Sequence, residues 1–512
     1  MSTTLIAGRH SWAVAMSLWG LVVLAAGGPI EVIYTEIPGQ PTSVVPGARD
    51  ANGNPVFAEF TALQEIALRG DGEEWMLKGT SNLGSTLDAI LILGSGTVGN
   101  AFAQDGQPVL GGLPGEQYDF FDSPVPAAWN DAGDIAFSFR AKGGSSAVFE
   151  KVVVVSGGVH TIVIQMGDPA LGLIDQPPNP SGDELFGNSI NSVHILNTGE
   201  VGFVNTPIQN CHSARYPAFF HGNTSFRQSG VSLIEGEVWD NFDYDDCGGS
   251  PDGHWFAKGD TENPDTTVDN ILAVDDVVVL RENSPVAPGE SMTMAAIFFT
   301  RMLRDGTWFC RGDDPSDNDW AVRQGVLLAK TGDEIAAGEH WADAFSAFNG
   351  NTVGDWVLSG NTDNPDLTKD NVLVLNGTDV ILREGDPVDV DGNGLFDDDA
   401  YLATFQPNDL FITDTRMLYL LVTLRNGAGT NIGDAFIRKQ IPLSSVAGDM
   451  NCNGAVEFGD INPFVLALTD PPGYAQAYPL CDIMNGDING DGAVDFGDIN
   501  PFVQCIVNGG CP

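Results

Sequence analysis

HWFAKGDTENPDTTVDNILAV (His254–Val274) and DWVLSGNTDNPDLTKDNVLVL (Asp355–Leu375) are one unit written twice. Each reads as a short apolar strand opened by Trp, a turn rich in Asn, Asp, Pro and Thr, and a second strand of aliphatic residues. Both units run on into a tail of Gly or a polar residue, Pro and a closing Gly: LRENSPVAPG to Gly289 and LREGDPVDVDG to Gly392. A third Trp strand, EWMLKG, stands at Trp75.

Outward from this pair the tail recurs along most of the chain. It closes at Gly111 (AQDGQPVLG), Gly172 (IQMGDPALG) and Gly338 (AKTGDEIAAG), with weaker copies at Gly236 (SGVSLIEG) and Gly47 (YTEIPGQPTSVVPG). The tails fall about 50 to 60 residues apart, room for four short strands each, which is the spacing of propeller blades. Between tails the pattern stays β-rich: VVVVSGGVHTIVIQ is strand, Gly-Gly turn, strand, and no long amphipathic helical period appears between residues 50 and 440.

The Gly47 tail has no body before it, and the last body, MLYLLVTLRNGAGTNIGDAFIRKQI, has no tail behind it. Joined, they complete one more unit. The sequence therefore predicts a mainly β chain folded as a seven-bladed β-propeller closed by its N-terminal strand, which removes exposed sheet edges. The degenerate Gly236 unit leaves six or eight blades open. A row of separate β-sandwiches is the rival architecture, and the exchanged ends argue against it. The units resemble those of large secreted bacterial propeller-like proteins of unestablished function, over residues 30 to 445. That resemblance implies the fold and says little about activity.

After residue 447 the pattern changes. DMNCNGAVEFGD and DINGDGAVDFGD begin at Asp449 and Asp487, and both follow the grammar of a calcium loop of the EF-hand type. Calcium takes about six to eight oxygens, supplied by alternate loop positions and the last one. Here those are Asp449, Asn451, Asn453, the Ala455 carbonyl, Glu457 and Asp460, then Asp487, Asn489, Asp491, the Ala493 carbonyl, Asp495 and Asp498. Gly454 and Gly492 stand where the sharp turn needs no side chain. The second loop has four carboxylates against three in the first, and is expected to bind calcium more tightly.

Both loops run into INPFV, whose Pro463 and Pro501 suit a first helical turn. Ile461, Phe464, Val465 and Leu468 are expected to form one apolar face. Two half EF-hands in tandem, each with Asp at its last position, resemble a type I dockerin over residues 448 to 508. The resemblance implies a calcium-dependent fold that docks to a cohesin on a scaffold or cell surface. In that family the tenth and eleventh loop positions, commonly a small hydroxyl pair, carry cohesin recognition. This chain departs there, with Phe458–Gly459 and Phe496–Gly497.

A third acidic loop, DVDGNGLFDDD, offers Asp389, Asp391, Asn393 and Asp397 as calcium ligands around Gly394. Its twelfth position is Ala400, so the usual last ligand is missing. The run NFDYDD near Asp243 is a weaker acidic candidate.

Bulk properties bound the partners. Hydrophobic residues make up 43%, while 69 acidic against 22 basic residues give a net charge of -47. Such a field repels nucleic acid and anionic membranes. Arg9 and His10 precede an apolar run from Trp12 to Ala26 that ends in Gly27, Gly28 and Pro29. This reads as a secretory signal peptide over residues 1–28, the run being shorter than the about twenty residues a membrane span needs. A retained signal anchor is the alternative. The expected division is signal peptide 1–28, propeller 29–446 and dockerin-like module 447–512.

Seven cysteines suit an oxidising compartment. Cys452, Cys481, Cys505 and Cys511 allow three pairings, of which Cys452–Cys481 with Cys505–Cys511 is one. Cys211 and Cys247 are candidates for another pair, leaving Cys310 odd. Cys211, His212 and His221 form a loose cluster more suited to structure than to metal. Metalloprotease, serine-hydrolase and phosphate-loop signatures are missing, and no catalytic residue is assigned. The sequence thus favours a secreted, non-catalytic calcium-binding protein whose propeller displays a binding surface and whose C-terminal module attaches it to a cohesin or the cell surface. The alternative is an extracellular polysaccharide-active enzyme, a glycoside hydrolase or lyase, carrying a dockerin. Polysaccharide is a partner under either reading.

Overall fold

The computed structural model describes residues 29–72, 74–121, 127–144, 150–442, 446–478 and 481–511, so the expected signal peptide lies outside the described residues. Seven antiparallel sheets of four or five strands follow one another along the chain. Their inner strands are Phe60–Leu68, Glu116–Phe121, Ile190–Ile195, Glu237–Gly249, Ala296–Met302, Glu339–Gly350 and Tyr401–Ile412, and they open blades one to seven. In blades one to six the main strands run outward in chain order. Blade seven is built from both ends: Tyr401–Ile412, Met417–Arg425 and Asn431–Gln440 are followed by Glu31–Thr35 as outermost strand. The chain is a seven-bladed β-propeller closed by its N-terminal strand, and the row of sandwiches does not occur.

The closing strand pairs Glu31 with Arg438 and Thr35 with Ala435, and the Glu31 carboxylate also meets the Arg438 guanidinium. Its Tyr34 is buried where blade seven meets blade one. There Trp75 takes Phe436 edge-on at 5.1 Å and Tyr34 at 6.0 Å. Burying a large side chain of this kind contributes about 1.5–3 kcal/mol, so the joint is held by packing as well as by the ladder.

The tails prove to be the connections between blades. All seven closing glycines, Gly47, Gly111, Gly172, Gly236, Gly289, Gly338 and Gly392, have φ between 72° and 93°. This left-handed backbone favours Gly over residues with a Cβ. At Gly236 and Gly338 the turn also folds a short extra strand, Leu233–Ile234 or Glu334–Ala336, onto the next inner strand.

Trp75, Trp255, Trp308 and Trp356 each open the second strand of a blade. Four residues on stands a glycine, and a Cβ there would lie 2.8 Å (Gly79), 2.1 Å (Gly259), 1.9 Å (Gly312) or 2.9 Å (Gly360) from a carbonyl oxygen of the inner strand. The reason is a β-bulge. All seven inner strands shift register, at Leu63/Glu65, Tyr118/Phe120, Asn191/His194, Phe242/Cys247, Ile297/Phe299, Trp341/Phe345 and Phe405/Leu410. Bulges bend a strand and re-aim its side chains, and here they do so around the propeller axis.

Beyond blade seven the chain forms a small helical module with α1 (Ile461–Thr469), α2 (Pro471–Ala477) and α3 (Ile499–Asn508). Phe464 and Phe502 stack at 4.0 Å in its core, with Met450, Ala467 and Tyr474 around them. Cys452–Cys481 and Cys505–Cys511 are bonded. Two expectations are corrected. The face of α1 that meets the core is Pro463, Phe464 and Ala467, whereas Ile461 and Val465 are exposed, because Phe464 and Ala467 pack into the cluster of Met450, Tyr474 and Phe502. Cys211 and Cys247 are not paired: they pack in separate clusters, and Cys247 is buried with its Sγ on the Asp243 carbonyl. Among the described residues no helix is long and apolar enough to cross a membrane.

Gly312→Ala forces a methyl group onto the Ala296 carbonyl and should cost about 1–3 kcal/mol, read as a lower urea midpoint. Gly84→Ala, whose new methyl meets open space, should shift it by no more than about 0.5 kcal/mol.

Candidate functional site

The two C-terminal loops are folded as matching cages. In the first, Asp449 accepts from the amides of Asn453 at 3.2 Å and Gly454 at 2.9 Å, and Asp460 Oδ1 accepts from Met450 at 2.8 Å and Asn451 at 2.9 Å. In the second, Asp487 accepts from Asp491 at 3.1 Å and Gly492 at 2.8 Å, and Asp498 Oδ1 from Ile488 at 2.8 Å and Asn489 at 3.0 Å. Asn451, Asn453, Asn489 and Asp491 each bond an amide two residues on. Ala455 and Ala493 occupy the carbonyl position, and Glu457 and Asp495 lie exposed at the ninth. Asp449, Asp460 and Asp498 are fully buried. Burial, with the nearby Asp449 charge adding to it, holds the Asp460 carboxyl above the usual range.

The third loop carries the same pattern. Asp389 accepts from Asn393 at 3.1 Å and Gly394 at 2.7 Å, Asp391 from Asn393 at 3.0 Å, and Asn393 from Leu395 at 2.7 Å. Asp397 faces the Asn393 amide at 3.4 Å, as Glu457 faces Asn453 at 3.1 Å. The place that position counting gives to Ala400 is taken by Asp398. Asp398 Oδ2 accepts from the amides of Val390 at 2.6 Å and Asp391 at 3.2 Å, the bonds that Asp460 and Asp498 make in their own loops. The loop is two residues shorter, so counting positions skipped Asp398 in favour of Ala400. Asp389, Asp391 and Asp398 each bring a carboxylate oxygen within 4.8 Å of the others. The C-terminal loops, which mix carboxylates with Asn side chains and a carbonyl, form no such trio among the described residues.

The run around Asp243 is the bulge of blade four, where Lys258 Nζ lies 2.9 Å from Asp243 and 3.3 Å from Asp246. Blades one and two repeat the device, with Lys78 3.2 Å from Glu65 and Arg140 3.0 Å from Asp119. The loose cluster of Cys211, His212 and His221 does not assemble. His212 caps a short turn, and His221 packs on Phe226 and on His194, 5.6 Å between ring centres.

Sequence reasoning missed the central mouth, which draws on all seven blades. Residues 67–70, 127–129, 192–194, 245, 247–249, 251, 256, 299–304, 349–352, 411, 412 and 414 surround a cavity of about 240 Å³. Asp71, Asp131, Asp252 and Asp305 stand at its rim, and Asn197 bridges Asp131 and Asp252 at 2.8 and 2.9 Å. Arg304 pairs with Asp414 at 3.2 Å, and Asp414 also accepts from the Thr352 amide and hydroxyl. Arg301 sits over the Phe411 ring, 4.0 Å from its centre, and burial draws its guanidinium down to about 10. The Lys-Gly and Arg-Gly pairs after Trp75, Trp255 and Trp308 were the available signal, since they mark where each inner strand bulges toward the axis.

Against known proteins, no family model and no curated protein matches the chain. Among solved structures it is similar to the β-propeller domain of the Trilobed protease from Pyrococcus furiosus, at 8% identity over 73% of this chain and 94% of that one, with a TM-score of 0.37. It is also similar to prolyl oligopeptidase B from Galerina marginata, at 12% identity, 74% of this chain, 48% of that one and a TM-score of 0.33. A Penicillium chrysogenum alpha-L-arabinanase matches at 10% identity, 65% and 96% coverage and a TM-score of 0.30. Such likenesses concern the fold alone.

Asp409, in the blade-seven bulge, accepts from the Ile66 amide at 2.9 Å and so ties blade seven to blade one. Burial pushes its carboxyl up to about 7, against the opposing pull of that amide and of Arg301. A carboxyl raised in the folded state stabilises the fold at low pH, and that contribution is lost as pH rises from about 4 to about 7. Asp409→Asn keeps the acceptor and removes the charge, so its stability advantage over the parent should grow across that window in urea melts.

Proposed function

We propose that this is a secreted, non-catalytic calcium-binding protein in which the propeller displays a binding surface and a dockerin-like C-terminal module folds around calcium and attaches the chain to a cohesin-type partner or the cell surface. The observation that carries the reading is charge. Asp449, Asp460 and Asp498 are fully buried in a module that contains no Lys, Arg or His between Val446 and Cys511. Buried carboxylates need a cation, and oxygen cages of this composition suit calcium. The third loop, with its three gathered carboxylates, is read as a further calcium site on the propeller.

The attachment face follows from what the helices leave uncovered. Phe458 and Phe496, at equivalent places in the two loops, are 79% and 77% exposed. Ile461 and Val465 continue the first stripe, and Ile499, Val503 and Val507 the second, all exposed. Exposed apolar rows of this kind mark interaction surfaces. A second copy of a chain carrying -47 is a poor occupant, so the partner is a different protein with an apolar receiving face.

Calorimetric titration of the chelated chain should resolve three calcium equivalents, with Asp460→Ala, Asp498→Ala and Asp398→Ala each removing one. Asp498→Ala should remove the tighter C-terminal site. Calcium at 100-fold over its dissociation constant should stabilise the module by about 2.7 kcal/mol. Absence of calcium heat in the parent would count against the assignment. The pair Phe458→Ser and Phe496→Ser should lose capture by immobilised cohesin at least tenfold while keeping calcium. Capture equal to the parent would overturn the assignment of this face.

A further inference from the structure

The mouth of the propeller combines features that the calcium reading does not use. Arg301 lines the cavity beside Phe299 and Phe411, with ring centres 5.2 and 4.0 Å from its guanidinium. Its Nη2 donates to the Asn408 carbonyl at 3.1 Å. Its Nη1 is buried and has no hydrogen-bond partner among the described residues, and the same holds for Trp129 Nε1, which lines the cavity from blade two. A buried donor without a partner costs about 1–3 kcal/mol, so two on one cavity call for an explanation. Both atoms are closed off from water, so solvent does not satisfy them. Asp245, on the bulge of blade four, is exposed to the cavity and makes no hydrogen bond among the described residues.

We propose that this cavity binds the end of a neutral saccharide chain. The wall offers a carboxylate to accept from adjacent hydroxyls, guanidinium and indole N–H groups to donate, and aromatic faces for the apolar side of a sugar ring. Charge selects against the other classes of small ligand. The acidic rim repels anions, and inside the cavity Arg301, set against Phe299 and Phe411, disfavours a cation beside it, while Arg69 and Arg304 are already paired with Asp71 and Asp414. Size selects one unit: about 240 Å³ lies below the range of about 300–1,000 Å³ that accommodates larger ligands. Engagement of Nη1 and Nε1 requires a side-chain rotation, an ordinary event on binding. The inference assigns the surface that the proposed display function needs, and it does not depend on calcium at the C-terminal loops.

The test is calorimetry and Trp fluorescence on the full chain with cellotetraose, xylotetraose, mannotetraose and galactotetraose, with tetragalacturonate as the charged comparison, in calcium and in chelator. At least one neutral tetraose should bind saturably at one site. Asp245→Asn and Arg301→Lys should each weaken it tenfold or more, with Phe57→Ala, outside the cavity, unchanged. Asp245 makes no hydrogen bond among the described residues and stands beside the like charges of Asp243 and Asp246, so its variant should melt no lower than the parent and separates binding from folding. Binding of the charged comparison alone, no binding by any neutral tetraose at millimolar concentration, or binding indifferent to both cavity variants overturns the proposal. Saccharide binding that persists in chelator, with no calcium heat, would sink the calcium reading and leave this one standing.

Discussion

A ring of blades is tied shut when its last blade is completed by a strand from the start of the chain. Glu31–Thr35, laid antiparallel on Asn431–Gln440, meets that condition and joins residues some four hundred positions apart. Everything nearer the axis depends on it. Seven inner strands can converge only when the angle between blades closes to a full turn, and the mouth exists only where they converge. The joint is accordingly reinforced: Trp75, Tyr34 and Phe436 fill it, and Asp409 reaches from blade seven to the Ile66 amide of blade one.

Much of this was legible in the sequence because it rests on local backbone demands. A connection that must turn sharply between blades needs a left-handed residue, so Gly recurs at Gly111, Gly172 and Gly289 whatever the surrounding side chains are. The tailless body at the C-terminal end and the bodiless tail at the N-terminal end then implied closure. The same logic worked for Gly454 and Gly492, which sit at positive φ inside the acidic loops.

What stayed hidden is what depends on two strands at once. A bulge has no sequence of its own, since the extra residue is defined by the partner strand. Lys78 and Gly79 look like an ordinary strand end until Glu65 and the Ala62 carbonyl are placed against them. Asp398 escaped for a related reason: position counting assumes a fixed loop length, whereas the amides of Val390 and Asp391 can be reached by a shorter loop. The exposed row on α1 was misread because the proline side of that helix, not its most aliphatic side, packs inward.

The acidic residues divide into two populations by what neutralises them. On the bulges of blades one, two and four, carboxylates meet Lys78, Arg140 and Lys258 from the neighbouring strand, so there the fold supplies counter-charges of its own. In the C-terminal module it supplies none, although three carboxylates there are fully buried. On the calcium reading, a module with three fully buried acids and no basic residue of its own leaves that charge to be met from outside. A divalent ion taken up by oxygen ligands meets it in the least space. Stability of the module is then, on that reading, tied to the ion supply of its surroundings, and the propeller shares that dependence at the loop of Asp389, Asp391 and Asp398.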